Sequence, residues 1–562
     1  MRGILLLCWA LAYLGHIWFW IEKQNQRPAI APLLAASVMV TVLFAGAVCR
    51  VLLPAAVLLW LSGWLLFGWM LLRRSKALFS VDLLLFAAGC VGLALRYRHS
   101  FLVQYDDFSH WGMIVKHLLA SNRLPGNGDA LITFQSYPPG AALWIYGMCR
   151  LTGGSEGMML TAQAVFMLAG WLPLLALAKG KGALVKKAAC AVMAVVGLSL
   201  LQGSASLMVD NLVAALAVGG LCMVAVHAAQ GGQTPMLTGA VLAVSALIKD
   251  SGLFFVLVLA AIYAVVCLRN AKTRRIGRLA AAILPACAAR AVWYAHIKLA
   301  FASAGTTRHA LTLDNMRVMG ADKSYQDIFR IGVQVFKQAA SLHNLAIQAL
   351  LAMGIFAAGV FVMRRMQKGV WKVGAEGAVL AAGVVVYAAW LVMLWVTYVF
   401  SMELEGAKNL VAFERYNSTC ALFLLGMLAA WALSCAGSGT CGYPAAVVCM
   451  CLPLLTGAWT NGAERLLHET YHVPLRTNLE QAAVQRPLQS GERAAVVIDH
   501  DENSLFAGYM ARYRLQSENV EICYPDEVVW NTADTIYYWL SEMQPKPVAG
   551  VEIVQPDMRG AQ

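Results

Sequence analysis

Apolar residues fill runs of membrane-spanning length along most of the chain, and polar residues are gathered into the segments between them. The runs Ile30–Val48, Val51–Leu72 and Ala378–Val396 are each close to the roughly 20 residues that a helix needs to cross the hydrocarbon core. Only helices and closed barrels satisfy their backbone hydrogen bonds in lipid. The pattern therefore predicts an all-α polytopic membrane helix bundle with about 12–14 spans.

Composition agrees with this class. The chain has 562 residues, of which 60% are hydrophobic, whereas soluble proteins are about 45–50% apolar. The net charge of +13 does not indicate a nucleic-acid partner, because the basic residues lie in short loops and no nucleic-acid motif accompanies them. The 14 cysteines lie mostly in apolar runs at irregular spacing, which is typical of core residues rather than of a disulfide framework or a zinc ribbon.

The basic clusters set the predicted topology. The positive-inside rule places four of them in the cytoplasm: Arg73–Lys76, Lys179–Lys187, Arg269–Arg278 and Arg364–Lys372. Counting spans from these anchors puts the N-terminus and the loop after Leu95 outside the cell. The run Pro138–Cys149 is too short to cross, so we predict a re-entrant or surface helix that begins at its two prolines.

Four regions follow from this topology. N-terminal transmembrane helices occupy residues 1–97, and the first large extracytoplasmic loop, with an acidic motif, occupies 98–137. A transmembrane core with outer loops occupies 138–459, and a small extracytoplasmic α/β cap occupies 460–562. Strand-like runs in the cap are Ala494–Ile498, Val520–Cys523 and Val551–Val554.

The segment Tyr105–Trp111 combines acids, a histidine and aromatics just beyond the first hydrophobic block. If a helix begins near Asp106, His110 lies four residues after Asp106 and three after Asp107, on one helix face. Carboxylates and an imidazole can together bind a divalent cation, and a carboxylate beside a hydroxyl can act as a general base. The structural alternative is that Asp106 caps the helix and Asp107 complements its dipole.

Four further polar positions lie where predicted spans begin or end on the same side. Tyr137 precedes a pair of prolines, Asp210 opens a span, Lys249 interrupts two apolar helices, and Arg415 stands in Phe-Glu-Arg-Tyr. Ionisable residues at such depth are costly and are functional candidates by default, and Lys or Arg can hold an anionic phosphate. The structural alternatives are a helix start at Tyr137, a local Lys249–Asp250 ion pair and a solvated loop around Arg415.

The segment His468–His472 matches the His-Glu-x-x-His pattern of zinc proteases. Such a site needs both histidines on a continuing helix and a third ligand. Val473-Pro474 follows at once, and a residue before proline is pushed out of helical geometry. A zinc metalloprotease is therefore the least favoured interpretation.

In their order along the chain, these segments resemble the GT-C superfamily of membrane glycosyltransferases. That group includes bacterial aminoarabinose transferases, protein O-mannosyltransferases and oligosaccharyltransferases. The matching features are the acidic motif at Asp106-Asp107, the proline-rich helix start at Tyr137, the outward acid at Asp210 and the break at Lys249–Gly252. The chain also resembles bacterial members that carry an Asp-Asp-Phe-Ser-His-Trp loop and a Phe-Glu-Arg-Tyr span entrance. The four spans before that loop and the small cap depart from the family's pattern.

The resemblance implies a GT-C-type glycosyltransferase in the plasma membrane of a bacterium. The donor would be a polyprenyl-phosphate-linked sugar, the acceptor a glycan, a lipid or a protein, and the outcome inversion at the anomeric carbon. The resemblance names no cofactor, although a divalent metal ion bound by His110 with Asp106 and Asp107 is a candidate. It implies that Asp106 or Asp107 is the base. The residues implied for binding the donor phosphate are Lys249, Arg415, Tyr137 and Asp210.

Other functions fit parts of the pattern. A lipid-linked polysaccharide polymerase or ligase would share much of this layout. A transporter or flippase would carry polar residues within its spans and two related halves, whereas the polar residues here gather at span ends. A non-catalytic assembly partner is a further alternative.

Overall fold

The computed structural model of the protein describes residues 2–178, 183, 206–229, 235–269, 276–301, 313–368, 375–436, 473–530, 534–546 and 548–556. The predicted spans Ala188–Leu201 and Ala445–Thr456 and the His468–His472 motif lie outside the described residues.

Helices account for most of the described chain. The first half contains α1 (Arg2–Glu22), α2 (Ala31–Val48), α3 (Leu52–Leu72), α4 (Val81–Tyr97), α5 (Gly112–Ser121), α6 (Gly140–Thr152), α7 (Glu156–Trp171) with a 3-10 extension (Leu172–Leu177), α8 (Asp210–Ala229), α9 (Pro235–Ile248) and α10 (Gly252–Arg269). The second half contains α11 (Ile276–Ala300), α12 (Leu313–Ala321), α13 (Tyr325–Ala339), α14 (Leu345–Lys368), α15 (Ala375–Ser401), α16 (Leu404–Lys408), α17 (Phe413–Ala436), α18 (Val473–Gln485) and α19 (Ser504–Leu515).

Within the described residues, nine helices are long and apolar enough to cross a membrane, so the chain is a multi-pass helical membrane protein. The helices form inner and outer sets. In α7, 94% of the most apolar stretch is buried in the protein, against 17% in α11. Outer helices leave large apolar residues such as Leu65 and Leu299 uncovered, as expected of surfaces that face lipid rather than water.

Contacts between helix ends define the two ends of the bundle. At one end, Ser75 donates a 2.8 Å hydrogen bond to Glu22, which joins the last turns of α1 and α3. Arg27 donates to the carbonyl of Ala176, 2.9 Å away, after the last turn of α7. At the other end, Asp210 at the start of α8 contacts Lys249 after α9 and Arg415 in the first turn of α17. We call this second end the polar end.

Helix α6 does not cross the bundle. It has 13 residues, about 20 Å of helix. It begins against the last turn of α9, where a β-carbon on Gly140 would lie 2.6 Å from the carbonyl oxygen of Leu247. It ends just before α7, whose Gly157 packs against the carbonyl of Tyr97 at the end of α4. Both ends of α6 are therefore at the polar end, as the prediction of a non-crossing helix requires.

The C-terminal region forms a small parallel sheet. Its strands are β1 (Arg493–Val497), β2 (Val520–Cys523), β3 (Thr535–Trp539) and β4 (Glu552–Val554), in the order β2-β1-β3-β4. Register pairs include Val496 with Ile522 and with Tyr538. Strands β1, β2 and β4 match the three strand-like runs that were predicted, whereas β3 and α19 were not predicted. The β3 segment is an aromatic-rich run, and α19 mixes polar and apolar residues without a clear period.

Candidate functional site

The segment Tyr105–Trp111, which we call the acidic segment, forms a wider helical turn than predicted. We expected an α-helix from about Asp106, but Asp107–Trp111 forms a π-type turn, closed by the Gly112 N–H donating to the carbonyl of Asp107. Helix α5 begins only at Gly112. The wider turn changes the directions of the side chains, so Asp106, Asp107 and His110 contact different partners. Asp106 makes no capping hydrogen bond, which removes the simplest structural alternative for it.

Asp107 is fully buried. Its Oδ1 accepts a 2.7 Å hydrogen bond from the backbone N–H of Leu207 and a 3.1 Å bond from the Ser206 hydroxyl. These residues form the segment that leads into α8, so Asp107 joins the acidic segment to the start of that helix. Burial raises the pKa of the Asp107 carboxyl well above its usual value of 3.8, and the two hydrogen bonds only partly oppose this.

Asp106 is partly exposed and forms an ion pair with the Arg415 guanidinium. The same guanidinium donates to the Tyr416 hydroxyl at 3.1 Å, and its Nε lies 3.8 Å from Asp210 Oδ2. Arg415 therefore links the acidic segment, α8 and α17, which are far apart in the sequence. The solvated-loop alternative for Arg415 does not describe this arrangement.

Lys249 binds Asp210 rather than its neighbour Asp250. Its Nζ lies 2.6 Å from Asp210 Oδ1 and 5.1 Å from the centre of the Tyr416 ring. Asp250 instead forms an ion pair with Arg290 from the middle of α11. The sequence thus places one cation and one acid at the break between α9 and α10, and tertiary packing gives each of them a partner from another helix.

The resulting network holds equal numbers of acids and bases at the polar end. The carboxylates are those of Asp106, Asp210 and Asp250, and the cations are Lys249, Arg290 and Arg415. All six side chains are at most 30% exposed. Charges in such partly dry surroundings interact more strongly than charges in water, so an incoming anion would compete with the carboxylates for the same cations.

Aromatic rings form one wall beside this network. Tyr137 stacks on Phe134 and on Trp111, with ring centres 5.3 and 5.5 Å apart, and lies edge-on to His110 at 4.9 Å. Burial, with Tyr416 and Asp106 as lesser causes, raises the pKa of the Tyr137 hydroxyl. Burial also lowers the pKa of His110 to about 3. His110 is therefore a neutral member of an apolar cluster rather than a cation of the site.

Several buried polar atoms near the network have no hydrogen-bond partner among the described residues. They include the Ser136 and Ser251 hydroxyls, Arg290 Nη1 and Asp107 Oδ2. Ser136 precedes Tyr137, and Ser251 follows Asp250. Since buried polar groups in proteins are nearly always paired with protein, water or ligand, these atoms are suited to contact a polar ligand.

The predicted metal set does not come together as one group. Across the described part of the chain, no cluster of three or more His, Cys, Asp or Glu side chains is placed to hold a metal ion. Asp107 and Asp106 have the partners given above, and the His110 ring is packed among aromatics. A metal ion at these three residues stays a prediction.

The cap packs directly on the acidic segment. Ring pairs join α19 to it: Tyr509 to Tyr105 at 5.1 Å, and Tyr513 to Phe108 at 5.2 Å. A β-carbon on Gly112 would lie 3.0 Å from the Tyr513 ring, so only glycine fits this approach without displacement. The cap thus supports the back of the segment that carries Asp106 and Asp107.

An ion-pair cluster fixes the same interface. Glu156, in the first turn of α7, lies 2.8 Å from Arg514 of α19 and 3.2 Å from Arg476 of α18. It also accepts a 2.7 Å hydrogen bond from the backbone of Leu102. Glu480 contacts both arginines, at 2.5 and 3.1 Å. One acid at the end of the bundle therefore connects two helices of the cap to the start of the acidic loop.

Five of the predicted residues converge in this site: Asp106, Tyr137, Asp210, Lys249 and Arg415. Sequence reasoning missed Arg290, although an arginine inside the apolar run of α11 was itself a signal, because charge at such depth is costly. It also missed Glu156, whose partners lie more than 300 residues away in the sequence.

No protein-family model, curated protein or solved structure matches this chain.

Proposed function

We propose that the protein is a glycosyltransferase that moves a sugar from a polyprenyl-phosphate donor to an acceptor at the outer face of a bacterial plasma membrane. The observation that carries the proposal is the contact of Arg415 with Asp106 and Asp210, and of Asp210 with Lys249, at one end of a membrane helix bundle. Two carboxylates and two cations lie together where a lipid-borne phosphate could reach them. The resemblance to GT-C glycosyltransferases supports the same reaction.

Donor binding begins with an exchange of ion-pair partners. Lys249 and Arg415 are held by carboxylates in the network, and a phosphate can take their place as an anion with charge-assisted hydrogen bonds. Planar Arg415 suits two phosphate oxygens, whereas Lys249 acts as a compact charge. When Arg415 turns to the phosphate, Asp106 loses its counter-ion, and its carboxylate is free to contact the acceptor hydroxyl. Binding of the donor thereby prepares the base.

The chemical step is a displacement at the anomeric carbon. The acceptor oxygen forms a bond to that carbon while the bond from carbon to the phosphate oxygen breaks, and the phosphate leaves with the electron pair. The acceptor proton passes to the Asp106 carboxylate. The transition state has oxocarbenium character, as in glycoside hydrolysis, and the two cations neutralise the charge that grows on the leaving phosphate.

Asp107 has a different role in this proposal. It is buried and accepts hydrogen bonds from Leu207 and Ser206, so it positions the loop rather than meeting the acceptor. Asp106 is the more exposed of the two aspartates. The structure therefore favours Asp106 as the base, where the sequence left both aspartates open.

The test compares Asp106→Asn with Asp107→Asn in proteoliposomes supplied with radiolabelled polyprenyl-phosphate sugar and a membrane extract as acceptor. Loss of a general base costs about 10²- to 10⁴-fold in rate, so Asp106→Asn should lose transfer. Asp107→Asn keeps an oxygen that can accept from Leu207 and should retain most of it. Both variants must purify as monodisperse protein.

Unimpaired transfer in Asp106→Asn would refute the base assignment. Wild-type protein that moves the intact labelled lipid between leaflets without breaking the sugar–phosphate bond would identify a flippase instead. A label that ends in growing polymer, rather than as a single added sugar, would indicate a polymerase.

A further inference from the structure

Helix α13 has an apolar face that is wider than its contact with the protein. One side packs inward through Ile331, Val335 and Ala339, which are all buried. Four large apolar residues on the adjoining side are uncovered: Tyr325 (92% exposed), Phe329 (72%), Val333 (49%) and Phe336 (43%). Their spacing of four, four and three residues aligns them along one stripe of the helix. We call these four residues the α13 stripe.

The side of α13 that lies opposite its buried residues is polar. Arg330, Gln334 and Lys337 lie there, so basic side chains flank the α13 stripe. The helix also has a well-formed start: Ser324 accepts from the Asp327 N–H at 3.2 Å, and Asp327 Oδ2 accepts from the Ser324 N–H at 3.1 Å. Such a capping box defines the first turn of a helix independently of distant packing.

Helix α13 lies across the polar end of the bundle. Near its start, Asp327 pairs with Lys408 at 3.4 Å, and near its end Gln338 donates to Glu414 at 3.2 Å. Both partners lie between the end of α15 and the first turn of α17, so both ends of the 15-residue α13 contact that connection. In its first turn, the carbonyl of Ile328 accepts a 3.0 Å hydrogen bond from the Trp395 indole, and a β-carbon on Gly332, in the middle, would lie 3.0 Å from the same indole.

The α13 stripe continues a lipid-facing surface. Trp395 belongs to α15, a helix long and apolar enough to cross the membrane, and its neighbours Val392 and Val396 are exposed on that helix. The helix with the stripe is therefore packed against the outer side of the bundle at the level where a span ends. Aromatic residues at this level are typical of the boundary between hydrocarbon and headgroups.

We propose that α13 is an interfacial helix whose stripe is seated in the lipid bilayer, with Arg330 and Lys337 turned toward the headgroups. An amphipathic helix of this kind lies in the membrane plane, with its apolar face about 5–10 Å deep at the acyl boundary. Lipid rather than a protein is the favoured occupant because the stripe adjoins the exposed side of a spanning helix and is bordered by basic residues. This inference does not depend on the proposed reaction.

The test places the photocrosslinker p-benzoylphenylalanine at position 329 of the full-length protein, or at position 330 as a control on the polar side. Each variant is purified into nanodiscs of defined phosphatidylglycerol and phosphatidylethanolamine, checked for monodispersity, irradiated and analysed as intact protein by mass spectrometry. The same variants are also irradiated in native membranes.

Adducts with phospholipid mass at position 329, several-fold above those at position 330, are the expected result in both settings. Equal lipid adducts at the two positions, or none at position 329, would overturn the proposal. A protein adduct at position 329 in native membranes, with loss of the lipid adduct there, would assign the stripe to a protein partner instead.

Discussion

Removing the charge of Glu156 should loosen the cap from the bundle. Glu156→Gln keeps the side-chain volume and an oxygen that can accept from the Leu102 backbone, which Glu156 binds at 2.7 Å. It loses the two ion pairs to Arg514 and Arg476, at 2.8 and 3.2 Å. The substitution therefore isolates the electrostatic part of the interface.

The expected loss of interface free energy follows from how deeply the side chains of this ion-pair cluster are buried. The side chains of Glu156, Arg476 and Arg514 are only 9%, 11% and 13% exposed, and breaking one side of a buried ion pair costs about 3–5 kcal/mol. Glu480 still contacts both arginines and is 41% exposed, so part of the cost is offset by its charge and by water. We expect the lower end, about 3 kcal/mol, or a change of about 100-fold in the opening equilibrium.

Amide hydrogen exchange by mass spectrometry, on protein in nanodiscs, measures this opening. Both arginines belong to the cap, so Glu156→Gln should speed exchange of the α19 amides by about 100-fold, and the acidic segment beneath α19 should follow. The control is Glu492→Gln, which breaks an ion pair with Arg486 within the cap and should leave α19 unchanged. Unchanged α19 protection in Glu156→Gln, or the same change in the control, would refute this account of the interface.

Two further predictions concern the site. Because the pKa of Asp107 is raised by burial, the folded state binds its proton more tightly than the unfolded state, and this contribution to stability is lost as pH rises above 3.8. The free energy of unfolding of the wild type relative to Asp107→Asn should therefore fall between pH 4 and pH 7, by about 1.4 kcal/mol for each unit by which burial raises the pKa of Asp107. A difference between the two proteins that does not change with pH would contradict the burial argument. Arg290→Gln should raise the KM for the lipid donor about 10- to 100-fold, as expected for a lost charge-assisted hydrogen bond of about 1.5–3 kcal/mol. The control Arg278→Gln, near the start of α11, should leave the KM unchanged. An unchanged KM in Arg290→Gln would remove this residue from the donor site.

Much of the fold follows from local patterns. Long apolar runs predicted α2 and α3 to within one residue at their starts, because the requirement for internal backbone hydrogen bonds in lipid leaves few alternatives to a helix. The short elements were harder to predict from the sequence. Strand β3 and helix α19 were not predicted, since the pattern of a short segment depends on which neighbours bury it. The π-type turn at Asp107–Trp111 likewise adds a residue to a turn that local pattern reads as α-helical.

The site was partly predictable for a related reason. A charged or polar residue at the end of an apolar span stands out in any sequence, and this signal picked out Asp106, Asp210, Lys249 and Arg415. The partner of each charge did not follow from the chain. Lys249 had Asp250 beside it, yet it pairs with Asp210, 39 residues away.

The sequence by itself determined that the protein is a helical membrane bundle with polar residues collected at span ends, because the energy of burying polar backbone and charge in lipid depends on each segment separately. Only the tertiary structure decided that Asp107 is buried while Asp106 faces Arg415, that Arg290 joins the network, and that the cap rests on the acidic segment. Those outcomes depend on which helix ends meet, and ion pairs a few ångströms long are selected by packing between segments rather than by the pattern within any one of them.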